Sequence, residues 1–464
     1  MTAAPLRSVA IVGGGVSGAL TAVHLARLDP HNTRVTLFER ASRQARGIAY
    51  DTSEPGHLLN VRAANMSAFP DRPDHFENWL RARTDAETQI ARTPAGDFVA
   101  RALYGEYLAD VLQRSCLEDG GGCIAIRRAD VAKVERVGAQ FVLTGSDGRT
   151  QTADDVVFAM GNVTEGFDAA GPVFRNPWAP NAVRHLDPQR PVLIQGTGLT
   201  MIDTVIALRR HGFAGPIFAL SRRGLLPQAH AAAAPRGPIQ LGSKPLRLSE
   251  IVRQMRGEAQ AAMVAGESWR SVVDALRPVT QDVWRQLTHR DKARFLRHIR
   301  PFWDAHRHRI APPIAAAIER ERREGGLTIL TGRLFECRDT PDGVEVSYHP
   351  RGGGAVRTIA AQRMIVATGI PDLGSTRDEL VSGLAESGLA RFDALGLGLD
   401  VDPRLGLLDK DGKVVAGAWA LGPLVRGVFW ECTALPDIRV QAVRLAETII
   451  ADAARLSVPE RMDA

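Results

Sequence analysis

The chain has 464 residues, 45% of them hydrophobic and 24% charged, with a formal net charge of +6. That length exceeds one small core and suits two or three domains of ordinary globular balance. No apolar run reaches the roughly 18 residues of a membrane span, and the arginines are dispersed rather than gathered into a nucleic-acid module, so neither a membrane nor a nucleic acid is expected as partner. The excess of positive charge suits anionic ligands, or an Arg-rich composition without further meaning. The opening MTAAPLRSVAIVGGG leaves no room for a signal peptide before a buried strand, which predicts a cytoplasmic protein. Cys116, Cys123, Cys337 and Cys432 are scattered and form no CxxC pair. Neither a redox dithiol nor a zinc site is suggested, and no metal is expected.

Ser8 to Val12 predicts a strand, Val16 to Leu28 a helix and Arg34 to Glu39 a second strand. Residues 43–108 read as irregular, followed by a helix ending near Leu112. Val131 to Val142 and Thr152 to Ala159 read as strands of a small β-unit. Gly161 to Pro188 is a Gly/Pro-rich connection of the kind that separates domains. Pro191 to Leu208 then repeats strand, Gly-rich turn and helix, and Ile217 to Leu220 is another strand. Leu246 to about Arg323 reads as wholly helical. Strands return at Leu327 to Leu330, Gly343 to Tyr348 and Met364 to Ala367, and Asp437 to Leu456 is a final helix. Two βαβ openings, each followed by strands, predict an α/β fold with two Rossmann-like dinucleotide-binding domains and a helical insertion.

The run VAIVGGGVSG places Gly13, Gly15 and Gly18 in GxGxxG spacing between strand and helix. The first glycine serves the tight turn, the second admits a pyrophosphate to the backbone, and the third lets helix and strand pack closely. The helix N-terminus then faces the phosphates with its partial positive charge. Glu39 closes the next strand 21 residues past Gly18, where a carboxylate accepts ribose hydroxyls. A turn without ligand leaves Glu39 unexplained. The second unit, VLIQGTGLTMID, carries Gly196 and Gly198 but has Met201 in place of the third glycine, so looser helix–strand packing is expected there. Glu39 lies 26 residues past Gly13, and Arg222 lies 26 past Gly196. An acid at that position would repel a 2′-phosphate, whereas Arg222, with Ser221 and Arg223, accommodates one. FAD at the first turn and NADPH at the second are the predicted cofactors; a solvated basic turn is the alternative for Arg222.

The runs DDVVFAMGN and RMIVATGIPD resemble each other, each an apolar strand ending in a small-residue turn. Near the C-terminus, WALGPLVRGVFWECTALPDIRVQA places Pro436 at the first position of the last helix, whose N-terminus would stabilise a reduced flavin. Gly422 is followed by Pro423 where many FAD enzymes have an acid, and Cys432 reads as a small buried residue. The helical segment gathers Arg297, Arg300, Arg307, Arg309, His298, His306 and His308. It reads as a solvated helix face for most of these residues, or as a lid over an anionic substrate.

The runs GIAYDTSEPGHLLNVRAANMSAFPDRPDHFENWL, FVARALYGEYL, GTGLTMID, SRRGLLPQAH, WDAHRHR and ECTALPDIRVQA together resemble the YdhS-like FAD/NAD(P)-binding proteins, over Val9 to Ala442. That family includes HpyO-type FAD-dependent urate hydroxylases and is more distantly similar to amino-acid N-monooxygenases. The resemblance implies flavin monooxygenase chemistry: hydride passes from NADPH to flavin, O2 is captured at flavin C4a, one oxygen atom goes to the substrate and the other leaves as water. The basic helical segment and the net positive charge favour a small anionic substrate. It implies an FAD domain built from 1–165 and 373–464, and an NADPH domain over 188–372 with the helical insertion at about 246–323. It also implies that Gly47 to Asn60 line the flavin ring, with Asn60 a partner of the ring or peroxide or merely a loop anchor. Urate is the first substrate reading, with Arg307 and Arg309 as its anion contacts and Trp303 or Trp430 as a stacking partner. The alternative for the two arginines is that they anchor helices to one another. N-hydroxylation of an amino acid such as L-aspartate is the alternative. From other classes come an NADPH-dependent electron-transfer reductase and a regulatory nucleotide-binding protein.

Overall fold

The computed structural model describes residues 6–117, 123–163, 171–242, 246–370 and 372–456. Strand Arg7–Val12 carries a run of four buried apolar residues, Val9 to Val12, and lies inside a six-stranded sheet. Its neighbours are Thr33–Glu39 on one side and Asp155–Phe158 on the other, both parallel, in register Val9↔Val35 and Val9↔Asp155. Ile124–Arg128 pairs parallel beyond Thr33–Glu39, and Val414–Ala420 pairs parallel beyond Asp155–Phe158, with Gly406–Leu408 antiparallel at the edge. Helix Val16–Leu28 packs against the C-terminal helix Leu435–Leu456 and against helix Arg101–Leu117.

The second sheet has seven strands, and its first five are parallel in the order Val173–Phe174, Arg363–Val366, Val192–Gln195, Ile217–Ser221 and Leu327–Thr340. The far half of Leu327–Thr340 turns antiparallel against Gly343–Pro350, which pairs with Arg357–Ala361. Helix Leu199–Arg210 packs with Pro312–Arg323, and Arg209 Nε meets Glu321 Oε2 at 2.8 Å. The first sheet thus draws on residues 7–158 and 406–420, and the second on 173–366. The expected end of the first segment, at residue 165, lies outside the described residues. The chain has the α/β architecture of parallel sheets in two Rossmann-type units.

Several expectations need correcting. Asp155–Phe158 belongs to the central sheet and not to the small β-unit, which is the three-stranded antiparallel set Val131–Val137, Gln140–Gly145 and Thr150–Ala153. The reason is burial: all four residues of Asp155–Phe158 are buried, as a strand covered on both faces requires. Residues 43–108 are not wholly irregular, since they hold short helices at Gly47–Tyr50 and His75–Arg81, and helix Arg101–Leu117 begins within them. The helical segment is interrupted only by short links: helical runs cover 248–264, 269–286, 289–307 (a π-helical turn at Phe295–Ile299 leads into its last part, Arg300–Arg307) and 312–323. Met201 is fully buried in the second core, so its bulk fills space that a glycine would leave.

His24 is buried in the first helix with its Nε2 unpartnered and its ring edge-on to Phe69. Burial, helped by the nearby Arg27 charge, pushes its pKa down to about 4. Below the ordinary value near 6.5 the unfolded chain takes up a proton that the folded chain refuses. Stability should therefore fall by about 3 kcal/mol from this residue as pH drops from 6.5 towards 4. Denaturant midpoints at pH 7 and pH 4.5 check this: His24→Gln should narrow the gap between the two, and an unchanged gap would remove His24 as its source.

Candidate functional site

At the first Gly-rich turn, Gly13 has φ +102°, and a Cβ there would lie 2.7 Å from the carbonyl oxygen of Ala159. At the second, Gly196 has φ +118°, and a Cβ would lie 2.2 Å from the carbonyl oxygen of Ala367. The likeness of DDVVFAMGN and RMIVATGIPD now has a physical reason. Each strand pairs beside the strand that leads into its unit's Gly-rich turn, and its small-residue turn presses its backbone against the first glycine. Both helices start at a glycine, Gly15 and Gly198, with extended backbone and no side-chain cap, so their first N–H groups have no side-chain partner. A Cβ at Gly198 would meet nothing within 4 Å, and one at Gly15 would make only ordinary contact with Gly47, at 3.5 Å. Gly18 differs: a Cβ there would stand 1.9 Å from the Gly13 carbonyl oxygen, so it serves helix–strand packing.

Glu39 lies against the first turn, where a Cβ on Gly14 would sit 2.7 Å from its own Cβ. Its Oε1 accepts the Ala41 N–H at 2.7 Å. Two buried polar atoms nearby are unspent, Asn162 Oδ1 after strand Asp155–Phe158 and Gln441 Nε2 on the last helix. Gln441 Oε1 accepts the Gly422 N–H at 3.2 Å. Gly422, at φ +70°, packs on Ser17 in the first turn of helix Val16–Leu28. Uncapped N–H groups, an acid at the ribose position and orphaned amide atoms fit FAD. The last helix begins at Leu435, so Pro436 is its second residue and not its first, still within the first turn, where its missing N–H costs no intrahelical bond.

Around the second turn the three basic-turn residues part company. Ser221 Oγ accepts the Gly224 N–H at 2.9 Å and stands 2.9 Å from Thr197 Oγ1, so it shapes the turn. Arg223 lies over the Phe302 ring of the helical segment, 4.9 Å from its centre. Arg222 is exposed, with no ion-pair partner among the described residues. Asn60 contributes its carbonyl, which accepts from His230 Nε2 at 2.9 Å.

The sequence reading missed a buried ion pair that joins the two units. Arg101 Nη1 meets Asp203 Oδ2 at 2.8 Å, both side chains buried, and Arg101 Nε donates to the Leu58 carbonyl at 3.0 Å. His57 Nε2 donates to the Asp203 carbonyl at 3.1 Å. The motif residue Asp203 was in view, but its partner stands 102 positions away.

The helical segment docks on the stretch before the last helix. Trp284 stacks on Trp430 with ring centres 4.8 Å apart, and its indole N–H donates to the Gly427 carbonyl at 2.8 Å. Arg307 Nε donates to Glu431 Oε2 at 2.9 Å, the Trp303 indole donates to the same carboxylate, and Arg277 stands 3.4 Å from Asp437. Arg309 pairs with Asp274. Each predicted anion contact thus holds one carboxylate of the protein and anchors the helical layer through it, with further guanidinium nitrogens left unpartnered. Burial pushes the Asp437 and Asp304 carboxyls up and the His308 imidazole down. Cys432 is buried, donates to the Gly422 carbonyl at 2.9 Å, and has its thiol pushed well up by burial.

Residues 10–163 match the FAD-NAD(P)-binding family model. The fold is that of an ornithine N-hydroxylase from Kutzneria sp. 744, at TM-score 0.61 and 14% identity over 98% of this chain and 100% of that one. An L-lysine 6-monooxygenase from Pseudomonas syringae aligns at TM-score 0.61 and 16% identity over 96% and 99%. A thioredoxin reductase from Lactococcus lactis aligns at 0.51 and 12% over 96% and 99%. No curated protein matches the chain by sequence. Residues 10–163 are an FAD/NAD(P)-binding domain, and the whole chain has the fold shared by flavin-dependent monooxygenases and reductases.

Proposed function

We propose that the chain is an FAD- and NADPH-dependent monooxygenase of a small anionic substrate, with N-hydroxylation of an amino acid or amine favoured over urate hydroxylation. The observation that carries this reading is the helical layer clamped by Trp284, Trp303 and Arg307 onto Gly427 to Asp437, beside the expected flavin site. Oxygen transfer needs such a cover, because water entering the site wastes the activated oxygen. Gly13, Gly15, Gly18 and Glu39 would hold FAD, which supplies hydride acceptance and oxygen activation; Gly196, Gly198 and Arg222 would hold NADPH. The N-hydroxylase choice is supported by the ornithine and lysine enzymes among the structural neighbours. A thiol-reductase role is disfavoured because it needs two neighbouring thiols, and Cys116, Cys123, Cys337 and Cys432 form no CxxC pair.

The test is NADPH oxidation in air with urate, L-aspartate, L-lysine or L-ornithine. One amino acid should accelerate it and yield a hydroxylamine. Urate loss coupled to NADPH use would transfer the reading to urate, and electron delivery to a quinone with none of the four coupling would replace it by a reductase. In the same assay Arg222→Ala should raise the NADPH KM about ten- to hundredfold, the worth of one charge-assisted hydrogen bond, and leave the NADH KM nearly unchanged. Equal changes for both would show that Arg222 does not read the 2′-phosphate.

A further inference from the structure

After the Ser221 turn the chain runs beside the end of helix Arg300–Arg307. The Gln228 N–H donates to the Ala305 carbonyl at 2.9 Å, the Ile310 N–H to the Gln228 carbonyl at 3.0 Å, and the His230 N–H to the Ile310 carbonyl at 2.9 Å. This pairing fixes His230, Arg307 and Arg309 at one buried junction behind Asn60. Four of their atoms are buried and unspent: Arg307 Nη2, Arg309 Nε and Nη1, and His230 Nδ1. The Arg309 side chain is 3% exposed, while its partner Asp274 is 40% exposed and looks outward. Arg62 lies close enough for its charge to act on both Arg309 and His230. Buried guanidinium donors without partners are costly, and a carboxylate satisfies two in parallel.

The histidine supplies the opposite polarity. Its Nε2–H is committed to the Asn60 carbonyl, so Nδ1 presents a lone pair. Burial keeps the ring neutral, with its pKa down to about 4. The unspent set is therefore three guanidinium nitrogens that donate, from two arginines, and one acceptor.

We propose that Arg307, Arg309 and His230 form a binding site for a planar anion carrying an adjacent N–H, the anion on the guanidinium groups and the N–H on His230 Nδ1. Calling this anion the substrate rests on the monooxygenase reading; the site itself does not. An α-amino acid and urate both carry this chemistry, whereas an aliphatic diamine lacks the anion and a plain dicarboxylate lacks the N–H.

Calorimetric titration of the flavin-loaded protein, without NADPH, tests the site with L-aspartate, urate, succinate and putrescine. L-aspartate or urate should bind, and which of them does so identifies the source of the anion. Succinate should bind more weakly and putrescine not at all. Arg309→Met should weaken anion binding about ten- to hundredfold. Arg309→Lys keeps the charge beside Asp274 and guards against misfolding, and it should still weaken binding because the fork is gone. His230→Phe should weaken the N–H-bearing anion and spare succinate. Unchanged affinity in both Arg309 variants, putrescine binding as tightly as the anions, or no binding by any probe would overturn the proposal. Binding without turnover would keep the site and remove the monooxygenase reading; turnover with unchanged affinity in the Arg309 variants would do the reverse.

Discussion

Gly15→Val should fold and lose its flavin. The backbone at Gly15, φ −71° and ψ −164°, is extended and open to any residue. A Cβ there finds its nearest neighbour at 3.5 Å, so the protein itself has room for it. The space a valine would take is the approach of a pyrophosphate to the uncapped start of helix Val16–Leu28. Flavin released by denaturation, measured per chain, should drop from near one to a small fraction while circular dichroism stays unchanged. Gly18→Val is the contrast. Its Cβ would collide with the Gly13 carbonyl oxygen at 1.9 Å, so helix and strand must part and soluble yield should fall. A folded Gly15→Val protein with full flavin would remove this turn from the FAD site.

Glu431→Ala should loosen the helical layer. The Glu431 carboxylate accepts from Arg307 and from Trp303, and its side chain is 5% exposed. Truncation leaves the Arg307 guanidinium buried without its counter-charge, a loss of about 3–5 kcal/mol for a broken buried pair. The helical segment should become the first site of limited proteolysis, and tryptophan fluorescence should report its unfolding at lower denaturant. Glu431→Gln keeps an acceptor for Trp303 and should fall between the two. Flavin content should persist in both, because Gly13, Gly15 and Glu39 are untouched. An unchanged denaturation midpoint in Glu431→Ala would show that the ion pair does not hold the layer.

Much of the nucleotide-binding frame was legible because it is written locally. Helix Val16–Leu28 follows from its apolar spacing and has those bounds in the structure. The glycine turns are short, and their steric demands act within a few residues. The strands Gly406–Leu408 and Val414–Ala420 and helix Glu379–Glu386 escaped, because they are short elements in a loop-rich stretch with no motif to anchor them. Asp155–Phe158 was seen as a strand but assigned to the wrong sheet, since an apolar tetrapeptide does not say which neighbour it will pair with.

By itself the sequence determined two Gly-rich turns, an acid after the first and an arginine after the second, because each is a short-range pattern with its own geometry. Only the tertiary structure decided what the charged side chains do. Arg307 and Glu431 are 124 positions apart, and Arg101 and Asp203 are 102 apart. No spacing rule connects such pairs; they meet because the sheets and the helical layer bring them together. The same holds for His230, whose free Nδ1 becomes a property of the molecule only when the Asn60 carbonyl, in a distant loop, accepts the hydrogen bond of its other nitrogen. A buried charge must find its partner wherever the fold places it, so pairing of this kind is set by packing and not by local pattern.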